Sequence, residues 1–211
     1  MSRLKSITFA GPAGRLEGLW KKPSGPRRGG AVFAHPHPLH GGTLHNKVVY
    51  RATQALAAAG WETLRFNFRG VGVSEGHHDA GSGETADFRA AVDEVQRLAG
   101  LPILAGGFSF GAAVALRAIG GDARICGYLG VGLPVATESA VDTPRPKVPA
   151  LFVVGERDTF GPPDRLRDFV GDSGEIAVIP GADHFFGGHL DQLEETIRAF
   201  LDRFARGALR A

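Results

Sequence analysis

Strand-length apolar runs alternating with helix-patterned stretches dominate this chain and leave few architectures open to it. From Gly30 onward the runs GAVFAH, WETLRFNF, LPILAGG, ARICGYLGVG, PALFVVG and GEIAVIP are largely apolar, as strands are when both faces of their sheet are covered. Helical composition marks about Lys47–Ala59, Gly83–Leu98, Phe110–Ile119, Pro163–Val170 and a closing amphipathic segment from about Leu190 to Phe204. Such alternation builds a parallel sheet, because parallel neighbours need a crossover between them. Ahead of it, Ser6–Phe9 and Arg15–Lys21 are short, partly alternating and joined by GPAG, the pattern of a β-hairpin. The expected fold is α/β: a mostly parallel eight-stranded sheet, made of one antiparallel N-terminal hairpin and six parallel strands, with helices on both faces.

The bulk numbers limit function more than fold. A length of 211 residues with 43% hydrophobic side chains suits one domain, expected over 1–211, with Pro23–Gly30 and Thr143–Pro149 as loops inside it. The 24 basic and 22 acidic residues are interspersed and sum to +2, so no nucleic-acid footprint is expected. The N-terminus lacks an apolar core followed by a small-residue cleavage site, and no run reaches bilayer length, so neither secretion nor a membrane partner is expected. Cys126 is the single cysteine; it reads as a buried strand residue and points to a reducing cytoplasm.

Chemistry concentrates where strands end. Gly107-Phe108-Ser109-Phe110-Gly111 joins the apolar LPILAGG to an alanine-rich helix, a G-x-S-x-G turn in which the glycines relieve crowding and lift a strained serine hydroxyl to the sheet edge. The alternative is a plain glycine turn with Ser109 as helix N-cap. A serine hydroxyl needs an imidazole to take its proton. His184, in GADHFFGGH after the last strand, is the candidate, with His189 competing from the same loop. The acid that orients the imidazole is expected at the end of PALFVVG, where Asp158 is favoured over Glu156 and over Asp183, the neighbour of His184.

An oxyanion hole takes one amide from the residue after the nucleophile, Phe110, and one from the loop His35-Pro36-His37-Pro38-Leu39. Pro36 and Pro38 have no N–H, which leaves His37 first and Leu39 second. The histidines at 35, 37, 40 and 45 do not match a metal-ligand pattern, so no metal is expected and the rings are read as shaping their loop. His77 and His78 lie in a polar, glycine-rich stretch and are read as solvent-exposed. Leu39, Phe185 and Phe186 are the candidate substrate-contacting side chains, whereas Phe108 and Phe160 are read as packing.

The segments HPHPLHGGTLHNKVV, LRFNFRGVGVSEG and GGFSFGA, spread over nearly the whole chain, resemble those of small bacterial α/β-hydrolases of the dienelactone-hydrolase-like type. The resemblance implies the α/β-hydrolase fold, a Ser-His-Asp triad at Ser109, His184 and Asp158, and no cofactor. It also implies that Arg69 is structural, bonding nearby backbone. Dienelactone hydrolases proper carry a cysteine where this chain has Ser109, a departure that speaks against their own reaction. The stretch between Ser109 and Asp158 is too short for an inserted lid, so an open site is expected. The expected activity is hydrolysis of a small carboxylic ester or thioester; acyl transfer, peptide cleavage or a catalytically silent binding protein are the rivals. A homodimer is compatible with the sequence, and nothing in it locates an interface.

Overall fold

A computed structural model describes residues 4–100, 102–138 and 142–208. The strands are β1 (Leu4–Gly11), β2 (Gly14–Lys21), β3 (Gly29–Ala34), β4 (Trp61–Phe66), β5 (Ile103–Phe108), β6 (Ile125–Val131), β7 (Ala150–Gly155) and β8 (Glu175–Ile179). They form one eight-stranded sheet in the order β1-β2-β4-β3-β5-β6-β7-β8. β1 and β2 are antiparallel, β2 runs antiparallel to β4, and β3 to β8 are mutually parallel. The hairpin and the parallel strands agree with the sequence reading. The exchange of β3 and β4 is a tertiary choice that periodicity does not carry.

The helices are α1 (Lys47–Ala58), α2 (Ser82–Ala99), α3 (Phe110–Ala118), α4 (Pro163–Val170) and α5 (Leu190–Ala208). β3, β4, β5 and β7 are buried along their whole length, because helices cover both faces. One cluster joins Leu64, Phe66, Phe88, Val92, Val114, Phe152 and Leu166, packing α2, α3 and α4 on one side. The other joins Phe33, Val49, Leu56, Trp61, Leu193, Ile197 and Phe200, packing α1 and α5 on the opposite side. No described helix is long and apolar enough to cross a membrane.

At the carboxyl end of the parallel strands, polar side chains tie the loops together. Asn67, just beyond β4, accepts from the Leu44 amide at 2.8 Å and donates to Glu17 Oε2 at 2.7 Å. Arg69 grips the fully buried Asp87 of α2 through two parallel bonds of 3.0 and 2.8 Å. The structural role expected of Arg69 therefore runs mainly through a carboxylate, not through backbone, as suits a planar guanidinium fork.

Candidate active site

β5 ends at Phe108, and the chain turns into α3 through Ser109, whose φ of 54° and ψ of −121° lie outside the ordinary basins. Neighbours hold this strained residue in place. A Cβ on Gly107 would lie 2.4 Å from the Gly111 carbonyl, and one on Gly111 would lie 2.4 Å from the His35 carbonyl oxygen. Only glycine allows the helix start to press against both its own strand and the end of β3. Ser109 accepts from the Ala112 and Ala113 amides through its carbonyl and donates its own amide to Val131 O at 2.9 Å. Its side chain forms no helix cap, so the hydroxyl is left for other partners.

His184 supplies one. It lies between β8 and α5, and its Nε2 accepts from Ser109 Oγ at 2.9 Å while Nδ1 donates to Asp158 Oδ2 at 2.8 Å. Asp158 follows β7 and is 2% exposed. Its other oxygen accepts the Phe160 and Gly161 amides at 2.9 and 3.0 Å. A buried carboxylate with its lone pairs satisfied is held in one orientation, which in turn fixes the imidazole tautomer. The competitors are occupied elsewhere: His189 Nδ1 bonds Gly187 O at 2.7 Å, Asp183 Oδ1 takes the Phe185 amide at 3.0 Å, and Glu156 Oε2 takes the Gly181 amide at 2.7 Å.

The loop after β3 narrows the choice of oxyanion donor. The Leu39 amide donates to the His37 ring at 3.2 Å, the His40 and Gly42 amides donate to His37 O, and the Gly41 amide donates to Pro38 O. Of the two loop amides considered, only that of His37 has no partner among the described residues. At the start of α3, the Phe110 amide is likewise unspent. The His37 ring lies against that of Phe110, 4.8 Å between centroids, which keeps the two segments adjacent.

Several side chains differ from the sequence reading. Phe186 is fully buried, sits at φ 54° and packs edge-on against Phe108; the structure places it in the core and not on the surface expected to meet substrate. Phe160, read as packing, is 44% exposed with its ring 4.6 Å from that of His184. Phe185 and Leu39 are exposed, at 62% and 69%, with Phe185 edge-on to the imidazole at 5.3 Å. His78, read as solvated, is instead half-buried, 2.9 Å from the buried Glu84 and 5.1 Å from the His37 ring.

Three further residues bring strand ends and loops together. His35 is fully buried, donates through Nδ1 to Pro36 O at 2.6 Å and accepts the Phe68 amide on Nε2 at 3.1 Å. Burial pulls its pKa down to about 4, so it is a neutral rivet between the ends of β3 and β4. Gly132, at φ 55°, brings the chain after β6 to within 3.2 Å of the His184 ring at the position of a Cβ. Cys126 Sγ bonds Ile103 O on β5, and burial pushes its thiol up to about 11, which leaves it unreactive. Among the described residues, no group of three or more His, Cys, Asp or Glu side chains could hold a metal ion.

The profile of the alpha/beta hydrolase domain matches residues 31–209. An alpha-beta serine hydrolase homologue from Coxiella burnetii superposes with a TM-score of 0.87 at 36% identity, over 93% of this chain and 97% of its own. A serine hydrolase without a lid from Xanthomonas campestris gives 0.87 at 30% identity, over 96% and 95%. An uncharacterized protein of Rickettsia prowazekii is 35% identical, over 94% of this chain and 89% of that protein. Fold, family profile and relatives converge: the chain belongs to the α/β-hydrolase family and is similar to its lidless bacterial serine hydrolases.

Proposed function

We propose that the protein hydrolyses a small carboxylic ester or thioester through an acyl-enzyme, with Ser109, His184 and Asp158 as its catalytic triad. The reading rests on one observation above all: the unbroken hydrogen-bond chain from Asp158 through His184 to Ser109, at 2.8 and 2.9 Å. Ser109 Oγ attacks the carbonyl carbon while its proton passes to His184 Nε2, and the imidazolium so formed is stabilised by Asp158. The tetrahedral oxyanion accepts hydrogen bonds from the amides of Phe110 and His37, both unspent in the resting protein. Collapse expels the alcohol or thiol, which takes the proton from His184. Water then repeats the sequence, its proton going to the imidazole and on to Ser109, and releases the acid.

Phe160 and Phe185 set exposed apolar rings beside His184, and Leu39 exposes its side chain on the loop that carries His37. They favour a small acyl or alcohol group with an apolar body, and the connection 132–149 is too short to carry a lid domain that would enclose a longer one. The lone, half-buried Cys126 accords with a reducing cytoplasm. The test is stopped-flow turnover of p-nitrophenyl acetate and butyrate and of a matched thioester. A burst of p-nitrophenol approaching one per chain, absent in Ser109→Ala, supports the acyl-enzyme. A folded wild type without burst or turnover on any of them contradicts it.

A further inference from the structure

A second polar site lies at the hairpin end of the sheet. Leu19 stands opposite Arg65 and Lys21 opposite Thr63 across β2 and β4, and Leu4 of β1 stands opposite Lys21. Side chains alternate along a strand, so these residues share one face. Tyr50, Thr53 and Gln54 of α1 close over them and leave a cavity of about 210 Å³. With about 30 Å³ per water molecule in the liquid, the space is larger than one solvent molecule needs.

Arg65 is 7% exposed, and its Nη1 is buried without a hydrogen-bond partner. Its one contact of note is with the Tyr50 ring, 5.2 Å from the guanidinium carbon. No carboxylate among the described residues pairs with it, whereas Arg69 has Asp87 and Arg124 has Asp122. A buried cation with no carboxylate partner among the described residues and a buried, unbonded Nη1 is an unfinished arrangement. The second cation there makes it less complete: Lys21 bonds Gln54 Oε1, and both burial and the charge of Arg65 push its pKa down. Glu194 attracts Lys21, but its carboxylate is paired with Arg51 at 3.1 Å and Arg198 at 4.0 Å. The Thr53 hydroxyl already donates to the Val49 and Tyr50 carbonyls.

We propose that this cavity binds a small dianionic oxyanion, the phosphate group of a free phosphate or of a phosphomonoester, between the guanidinium of Arg65 and the ammonium of Lys21. The planar fork of arginine presents parallel N–H donors to two phosphate oxygens, and lysine adds a point charge, so a dianion matches the two cations. Tyr50 and Leu4, both substantially exposed at the rim, give the organic part of a phosphomonoester an apolar exit. The site is distinct from the one at Ser109, since β3 separates β4 from β5 in the sheet, and it does not depend on the proposed reaction.

The experiment is a calorimetric titration of the full chain with inorganic phosphate and with phenyl phosphate, against sodium chloride at matched ionic strength, repeated with Arg65→Met and Lys21→Met. Expected is saturable binding of one phosphate per chain that each substitution weakens at least tenfold. Tighter binding of phenyl phosphate marks a phosphomonoester as the natural source, and equal binding marks free phosphate. Methionine keeps most of the apolar stem, and Lys21→Met, at the partly open end, serves if Arg65→Met does not fold. Heats indistinguishable from chloride, or phosphate binding unchanged in Lys21→Met and in any folded Arg65→Met, overturn the proposal.

Discussion

Acid should loosen this protein through His35 before it reaches the carboxylates. The ring is fully buried with one nitrogen donating and the other accepting, so the fold binds only its neutral form. Burial, opposed by the bond to Pro36, holds its pKa at about 4 against 6.5 in an unfolded chain. The unfolded state therefore takes up a proton that the folded state refuses, and stability is full above pH 6.5 and declines as pH falls toward 4. At about 1.4 kcal/mol per pH unit the whole effect is about 3 kcal/mol, with about 2.5 kcal/mol of it gone by pH 4.5. For a chain of this size that lowers Tm by about 5–10 °C. His37, lowered by burial and then by His40 and His78, acts in the same direction, so the assay compares wild type with His35→Gln. Glutamine can still accept the Phe68 amide but has no charged form. Urea unfolding at pH 8 and pH 4.5 should show the variant losing about 2.5 kcal/mol less than wild type between the two. Parallel losses in the two proteins would refute a neutral, buried His35.

Three further outcomes follow from the geometry. Ser109→Gly should abolish turnover yet raise stability by about 1–2 kcal/mol in denaturant melts, because φ 54°, ψ −121° costs a non-glycine residue strain; a destabilised variant would contradict the strained elbow. Arg69→Met strands the fully buried Asp87 carboxylate and should cost about 3–5 kcal/mol; a loss below about 1 kcal/mol would show the pair to be dispensable. Phe160→Ala, at a ring 44% exposed beside His184, should change Tm by less than about 2 °C while lowering kcat/KM for butyrate esters about tenfold; unchanged kinetics would remove Phe160 from the substrate wall.

Strands, helices and the positions of Ser109, Asp158 and His184 were legible because each rests on a local signal: an apolar run, a helical period, a polar residue just past a strand end. What was not legible depends on where loops fold back. The loop after β8 buries Phe186 through a left-handed turn and leaves Phe185 out, a choice made by backbone conformation that two adjacent phenylalanines do not encode. Phe160 was misjudged for the same reason, since it is the amides after Asp158, bonded to that carboxylate, that turn its ring toward His184. His78 looked solvated in a glycine-rich run, but Glu84 at the start of α2 draws the run inward by accepting the Asp79 and Gly81 amides. The Leu39 amide lost its candidacy to a bond within its own loop, from Leu39 N to the His37 ring. Arg65 reads as one polar residue in a strand, and only the pairing of β2 with β4 brings it to the same face as Lys21.

Whether Ser109 is an activated nucleophile is read by labelling with a fluorophosphonate. Intact-mass analysis of wild type, Ser109→Ala and Asp158→Asn, followed by peptide mapping, reads both the extent and the site of reaction. One stable adduct is expected on Ser109 and none in Ser109→Ala, with labelling of Asp158→Asn slowed by up to about 10⁴-fold because the imidazole loses its fixed tautomer. Folded wild-type protein that takes up no label, or label on a residue other than Ser109, would contradict an activated Ser109.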